Sequence, residues 1–487
     1  MRLPDLTGPT VDAVKSAQTY LTDLVTPTVR LGVTGLSRAG KTIFITALVR
    51  SLTTGQAMPH LPTSKLQGFR AYLEPQPDDD VPRFEYERNL DLLGGDPARW
   101  PDSTRRISQL RITLEWQAAD WPRRTVGLDR RLHIDIVDYP GEWLLDLALL
   151  DQSYAEWSAT ALEGIEKRTR DGRLEAWLAF LNQCDPAATD AEQTAIRGAE
   201  LFTAFLASLR DNDAFARTVT PGRFLMPGDL AGSPLLSFFP MRNAQPHSST
   251  PGTLAALLDR RFESYKAQVV RPFFERHFKE LDRQIVLIDV LSAFNGGAEA
   301  VIELEKAMDG ALAAFRPGSK SWLGLLLGRR IDRVMFAATK ADHVHRSSYR
   351  KLEQLLRAVI DRAARRAETA GANIDTAVIA SLRSTEDVEH RSGENIVPCI
   401  RGRPMAGQTI AGKTFDGIAS TAVFPGDLPE DPLDIFDGER LTAGALGFVQ
   451  FQPRPPAAEG GPWSQNEPWP HVGLDRFAQF LIGDYFA

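Results

Sequence analysis

Only two cysteines, Cys184 and Cys399, occur in 487 residues, far apart and outside any Cys-x-x-Cys or Cys/His cluster. Their scarcity excludes a disulfide framework and a cysteine-based zinc site, and it fits a reducing cytoplasm. Positive charge is not in excess either. Fifty-six Lys and Arg against 63 Asp and Glu leave a net charge of −7, so no nucleic-acid partner is expected, and the short basic stretches RDGR and GRRIDR read as solvated turns. Long apolar runs are also missing. The opening MRLPDLTGPT lacks the charged and apolar regions of a signal peptide. The longest apolar candidate, 322–327 (WLGLLL), is far shorter than a membrane span; it reads as a buried helix end, with a shallow contact to a membrane surface or a partner as the alternative. The eight histidines are scattered, and His343 and His345 are expected to be loop residues rather than metal ligands, because no third ligand lies nearby in sequence.

What is present is an ordinary globular composition, 43% hydrophobic and 24% charged, in a chain whose length suggests about three structural units. It is organised around residues 29–48, VRLGVTGLSRAGKTIFITAL, where Gly35, four residues, then Gly40, Lys41 and Thr42 form the GxxxxGK[ST] phosphate-binding pattern. An alternating β-branched run leads in and an apolar helix-like run leads out, the strand, loop, helix setting this chemistry needs. Backbone N–H groups from Gly35, Ser37, Arg38, Ala39 and Gly40 are candidates to wrap the phosphates. Lys41 supplies a point charge to the β- and γ-phosphates, and the Thr42 hydroxyl is a candidate Mg²⁺ ligand. The same pattern recurs at 407–414 (GQTIAGKT). There it follows no strand and precedes a stretch broken by Gly417, Pro425 and Gly426, so it is expected to be a coincidental loop match.

Residues 10–26 carry apolar positions at helical spacing and predict a leading helix. The proline- and acid-rich 53–101 reads as a long excursion. Residues 107–116 and 132–137 alternate as strands and predict a hairpin, the second ending in Asp138, Tyr139, Pro140, Gly141 and Glu142. From about 144 to 282 the pattern is helical, which suggests an insertion of roughly domain size. The continuous apolar runs 284–290 and 333–338, then 376–380, alternate with helical patterns and predict a parallel sheet covered on both faces. Beyond 386 the chain turns to short β-like pieces, a low-complexity PRPPAAEGGPW and a final amphipathic GLDRFAQFLIGDYF.

The order of these elements is that of a G domain: P-loop, a Ser or Thr before a strand, DxxG closing a strand, a bare strand, TKxD, and a last strand followed by a small polar residue. The chain thus resembles the Ras-like fold of P-loop GTPases. GLSRAGKT, DYPGEW, IVLIDVLSAFNGG and TKADH together resemble, more narrowly, the YcjX-like family of bacterial nucleotide-binding proteins over most of its length. This resemblance implies Mg²⁺ and GTP or GDP as ligands and a link to bacterial envelope stress. It also implies a protein partner, a membrane protein being one candidate, and a cytoplasmic location that includes the inner-membrane periphery. Thr42 would ligate Mg²⁺ directly and Asp138 through water, while the Gly141 amide touches the γ-phosphate. Ser103 and Thr104 are both candidates for the switch residue that closes over Mg²⁺, Thr104 being preferred. Asp289 competes for the Mg²⁺ role but is read as ending the bare strand. Asp342 would accept two hydrogen bonds from guanine. Lys340 would cover the ring and brace the P-loop, with Thr339 in place of the commoner Asn, and the Ser381 backbone would face the guanine O6.

Two departures bear on catalysis. Glu142 stands where small GTPases carry a water-orienting Gln; a carboxylate there is repelled by the γ-phosphate, so Glu142 is expected to point away and hydrolysis to be slow. Arg38 sits two residues before Gly40. GLSRAGKT is similar to the GLYRTGKS loop of guanylate-binding proteins, which implies that Arg38 acts as an internal arginine finger gated by self-association. The expected organisation is a leading helix (1–28), a Ras-like α/β core in two parts (29–143 and 283–385), a helical insertion (144–282) and a β-rich C-terminal region (386–487). An ATPase on the same fold, and a nucleotide-gated interaction module with negligible hydrolysis, remain as alternatives.

Overall fold

Seven strands form the central sheet: β1 (Thr28–Gly35), β2 (Arg70–Glu74), β3 (Ser108–Gln117), β4 (Asp129–Asp138), β5 (Arg283–Ile288), β6 (Arg333–Ala338) and β7 (Asn373–Val378). Their spatial order is β2-β3-β4-β1-β5-β6-β7. β4, β1, β5, β6 and β7 are mutually parallel, while β3 runs antiparallel to β4 as the expected hairpin, and β2 antiparallel to β3. The structure is a computed structural model that describes residues 26–486 except 37, 56–57, 96, 103, 105, 118–128, 167–171, 213–220, 245–249, 313–330, 370, 393–394, 411, 445 and 454–468. The expected leading helix, Ser37, Ser103, the apolar 322–327 and the PRPPAAEGGPW segment lie outside the described residues.

β2 was not legible as a strand, because RAYLE is a short edge strand whose residues are all partly or fully exposed. β5, by contrast, is buried at all six positions. Its alternate residues serve two different cores, since successive side chains point to opposite faces. Ile285 and Leu287 pack with the helix Lys41–Thr53 and the C-terminal helix Leu474–Ile482. Val286 and Ile288 face the helices Ala298–Leu312 and Tyr349–Thr369 and continue into the helices of residues 154–278. Within the latter, Trp157, Trp177, Phe202, Phe205, Phe238, Phe239 and Phe262 are fully buried, and the Trp157 and Phe262 rings stack with centroids 5.2 Å apart. Each such side chain contributes about 1.5–3 kcal/mol of burial, so this segment carries an aromatic core of its own that merges with one face of the sheet.

Beyond β7, β8 (Glu386–Ser392), β9 (Asn395–Gly402) and β12 (Thr421–Val423) form a three-stranded antiparallel sheet in the order β12-β9-β8. β10 (Thr409–Ile410) and β11 (Lys413–Thr414) pair as a small hairpin. The second GxxxxGK[ST] match therefore lies on two short strands and opens no helix. The C-terminal helix, read from the sequence as the end of the β-rich region, returns to the main sheet. The Arg283 guanidinium of β5 holds both carboxylate oxygens of Asp484 at 2.6 Å.

Candidate nucleotide site

Parallel pairing brings the strand ends to one edge: Val33 is level with Asp138, Gly35 with Leu287, Ile288 with Ala338, and Ala338 with Val378. Loops at the carboxyl edge of such a sheet are where ligands bind in open α/β folds. The loop after β1 enters its helix through Gly40, whose φ of 87° is left-handed, as is Arg38 at 64°. Gly35 is required by close packing, because a Cβ there would lie 2.5 Å from the Leu287 carbonyl oxygen and 2.9 Å from its Cβ. Lys41 is buried, and its Nζ donates to the Gly35 carbonyl at 2.9 Å.

Three oxygen-bearing side chains converge beside it. Thr104 Oγ1 donates to Asp138 Oδ2 at 2.9 Å and lies 3.5 Å from Thr42 Oγ1. The fully buried Asp138 is pushed up to about 6 by desolvation, opposed by the Lys41 charge and the Thr104 hydrogen bond. Its Oδ1 is buried without a hydrogen-bond partner. A hard divalent cation fits this set: the donors are all oxygens, and an orphaned carboxylate oxygen awaits a cation or its water. Gly141, after β4, packs on the loop itself; a Cβ there would stand 2.5 Å from the Gly35 carbonyl oxygen and 3.0 Å from the Leu36 nitrogen. Glu142 is buried in the first turn of the short helix Glu142–Leu145 and is not among the described residues that line the cavity.

That cavity, about 360 Å³, runs from Arg38, Ala39, Gly40, Lys41 and Thr42 past Thr104 to Thr339, Lys340, Asp342 and Ser381. At its far end Asp342 is buried and accepts from the Ser384 backbone N at 2.8 Å and Oγ at 2.7 Å, both on Oδ2. The Lys340 ammonium does not brace the P-loop as expected: it pairs with Asp289 Oδ2 at 2.6 Å, on the neighbouring strand end. Asp289 also caps the helix Val290–Asn295 by accepting from Ser292, consistent with a strand-ending rather than a cation-binding role. Burial lowers the pKa of His343, and among the described residues no group of three His, Cys, Asp or Glu gathers to hold a metal.

Sequence reasoning missed several residues. Ser384 orients Asp342, and Trp100, Pro101, Asp102, Met405, Gln450 and Phe451 complete the cavity wall. A short polar run after β7 was the only available signal for Ser384; nothing local marks the others.

A second buried carboxylate ties the segment after Gly141 to the helical part. Asp146 accepts from Gly222 N at 2.7 Å, from Tyr265 Oη at 2.6 Å and from Arg223 N at 3.4 Å, while the Arg223 guanidinium lies 3.1 Å from the centre of the Trp143 ring. Burial pushes Asp146 up to about 6, and the Tyr265 hydroxyl is the largest opposing influence. Because the folded value is raised, the native state holds this proton more tightly than the unfolded chain, and stability falls as pH rises from the ordinary Asp range to about 6. The Tyr265 donor matters most once the carboxylate is ionised. Tyr265→Phe is therefore expected to cost about 1.5–3 kcal/mol at pH 8 and distinctly less at pH 5, read by urea unfolding at both. An equal loss at the two pH values would contradict this account.

The mostly parallel sheet and the loop at its carboxyl edge place the molecule among the P-loop α/β proteins. More particularly, residues 29–486 match the YcjX-like family, DUF463, and the chain belongs to it. It is similar to the Ras-like GTPase YcjX of Escherichia coli, 34% identical over 469 residues that cover 93% of this chain and 95% of that protein. A protein of the same name from Shewanella oneidensis is 32% identical over 474 residues, covering 93% and 94%. No helix among the described residues is long and apolar enough to cross a membrane.

Proposed function

We propose that this protein binds a guanine nucleoside triphosphate with Mg²⁺ and hydrolyses it slowly to the diphosphate, acting as a nucleotide-dependent switch. The observation that carries the reading is a single cavity with Lys41 and Thr42 at one end and a fixed carboxylate, Asp342, at the other. The Ras-like GTPase relatives support guanine as the base. Lys41 exchanges its bond to the Gly35 carbonyl for β- and γ-phosphate oxygens, and the Gly141 amide donates to the γ-phosphate. Thr42, Thr104 and Asp138 would hold Mg²⁺, which would supply charge stabilisation to the phosphates. Asp342 accepts from the guanine N1 and N2 donors with the oxygen that Ser384 leaves free. Residues 29–143 and 283–385 form the nucleotide-binding core, and 144–282 form the insertion that reads its state.

A second reading, a nucleotide-gated interaction module with negligible hydrolysis, is favoured by the burial of Glu142 away from the cavity, since it leaves the attacking water without a side chain of its own at that position. Arg38 separates the two. It is exposed at the mouth of the cavity, in the left-handed conformation. If a second copy presses this loop onto the nucleotide, turnover per molecule rises with protein concentration, and Arg38→Ala flattens that rise, lowering the plateau by about 10³-fold. Identical curves for the two proteins would remove the arginine finger. Calorimetric titration with GDP, GTP, ADP and ATP in Mg²⁺ tests the base: guanine nucleotides are expected to bind at least tenfold more tightly, and equal or tighter adenine binding would move the chain to the ATPase reading.

A further inference from the structure

Part of the cavity wall is contributed by neither the P-loop nor the TKxD segment. Met405, Gln450 and Phe451 line it, from chain that follows β9 and β12. Two short stretches form a ribbon there: Met405 N donates to the Gln450 carbonyl at 2.8 Å, Gln452 N to the Arg403 carbonyl at 2.9 Å, and Pro404 bridges Phe451 in antiparallel sense. The Phe451 ring is buried, edge-on to His343 with centroids 5.4 Å apart, one residue beyond Asp342. Its fit against Gly402 is close, since a Cβ at Gly402 would lie 2.6 Å from the ring. The Gln450 side chain, by contrast, is exposed toward the cavity.

The ribbon is also tied to the segment that precedes β3. Trp100, itself a cavity-lining residue, donates from Nε1 to the Phe451 carbonyl at 2.7 Å. Four residues further on is Thr104, which hydrogen-bonds Asp138. Four residues of extended chain span at most about 14 Å. Trp100 and Thr104 therefore tie the ribbon and Asp138 to one short stretch of chain.

We propose that this ribbon is a nucleoside-binding wall, in which Gln450 offers its carboxamide to the ribose or base, and that the Trp100–Phe451 bond keeps it closed, so that nucleotide release is limited by opening of the C-terminal wall. The inference rests on the nucleotide-binding reading above but not on the identity of the base. Gln450 is the contacting residue; Trp100 acts as a positioning residue by holding the wall.

The test is stopped-flow dissociation of N-methylanthraniloyl-GDP and N-methylanthraniloyl-ADP from the full chain in Mg²⁺, for wild type, Trp100→Phe and Gln450→Ala. Trp100→Phe keeps an aromatic ring but loses the N–H donor together with the five-membered ring, and it is expected to speed release about tenfold, the worth of one part-buried hydrogen bond, while the association rate constant changes less than about twofold. Gln450→Ala, whose side chain is exposed, is expected to speed release about threefold to tenfold with the melting temperature unchanged. A merely structural role would shift melting without this split between release and association. Release at the wild-type rate from both variants overturns the proposal, and Gln450→Ala decides it if Trp100→Phe fails to fold. Faster release of the adenine analogue in a protein that prefers adenine would support the wall while overturning the guanine reading; a wild type that binds neither analogue overturns both.

Discussion

Asp342→Asn is expected to convert a guanine site into a xanthine site. Ser384 directs the outcome. Its backbone N and hydroxyl both donate to Asp342 Oδ2, so the amide of the variant must turn its oxygen toward Ser384 and its NH₂ toward the base. Both bases keep N1–H, but at C2 guanine presents an amino donor that meets the variant's NH₂, whereas xanthine presents a carbonyl oxygen that accepts from it. Losing two hydrogen bonds to a carboxylate and leaving donors unpaired in a buried site costs about 10²–10⁴ in affinity. Calorimetry with GDP and xanthosine diphosphate on both proteins measures it. Undiminished GDP binding by the variant would show that Asp342 does not read the base. Ser384→Ala adds a finer check: it removes the hydroxyl but keeps the backbone donor, so it is expected to weaken GDP binding by about tenfold or less and to leave the base preference in place.

The candidate site was legible wherever its residues are local in the chain. Gly35 to Thr42 need one loop, and Asp138 and Asp342 announce themselves at strand ends, because an apolar β-branched run must stop before the backbone can turn. Thr104 was visible as a hydroxyl ahead of a strand, and its bond to Asp138 follows from the β3–β4 hairpin, which sets Ser108 opposite Asp138. The partner of Lys340 was not legible, although both members of the pair had been singled out. Which carboxylate Lys340 meets depends on β5 and β6 being neighbours with Ile288 level with Ala338, a fact of register rather than composition. The C-terminal wall lay further still from sequence reasoning. Phe451 meets Trp100 across 351 positions of chain, and neither residue belongs to a motif. Likewise the amphipathic pattern of Leu474–Ile482 shows that one face is buried but not that its cover is Phe44 and the sheet rather than the nearer β-region.

Two close glycine contacts fit the segment that follows Asp138 between the P-loop and the chain near Gly222, and substituting each glycine is expected to break a different function. A methyl at Gly141 would stand 2.5 Å from the Gly35 carbonyl oxygen and 2.6 Å from its carbon, backbone atoms of the P-loop that cannot rotate aside. A methyl at Gly222 would stand 2.6 Å from the Glu142 carbonyl carbon and 3.0 Å from the Glu142 Cβ, on the opposite side of the same segment. Both variants are expected to lose about 1–3 kcal/mol of stability through overpacking. Gly141→Ala must lift the amide away from the γ-phosphate position, so it is expected to lose the preference for triphosphate over diphosphate and to slow hydrolysis by about 10²-fold while still binding GDP. Gly222 does not line the cavity, and Gly222→Ala is expected to bind both nucleotides more nearly as wild type does than Gly141→Ala. Its defect is expected in transmission, because the Gly222 and Arg223 amides on Asp146 and the Trp143 Nε1 donor to the Met226 carbonyl are bonds by which residues 143–146 hold residues 222–226. Limited proteolysis of residues 144–282 is then expected to differ between GDP and a non-hydrolysable GTP analogue in wild type and to be the same for both in Gly222→Ala. Wild-type hydrolysis by Gly141→Ala would remove the γ-phosphate role of that amide, and a nucleotide-dependent cleavage pattern that survives in Gly222→Ala would mean that the insertion senses the nucleotide by another route.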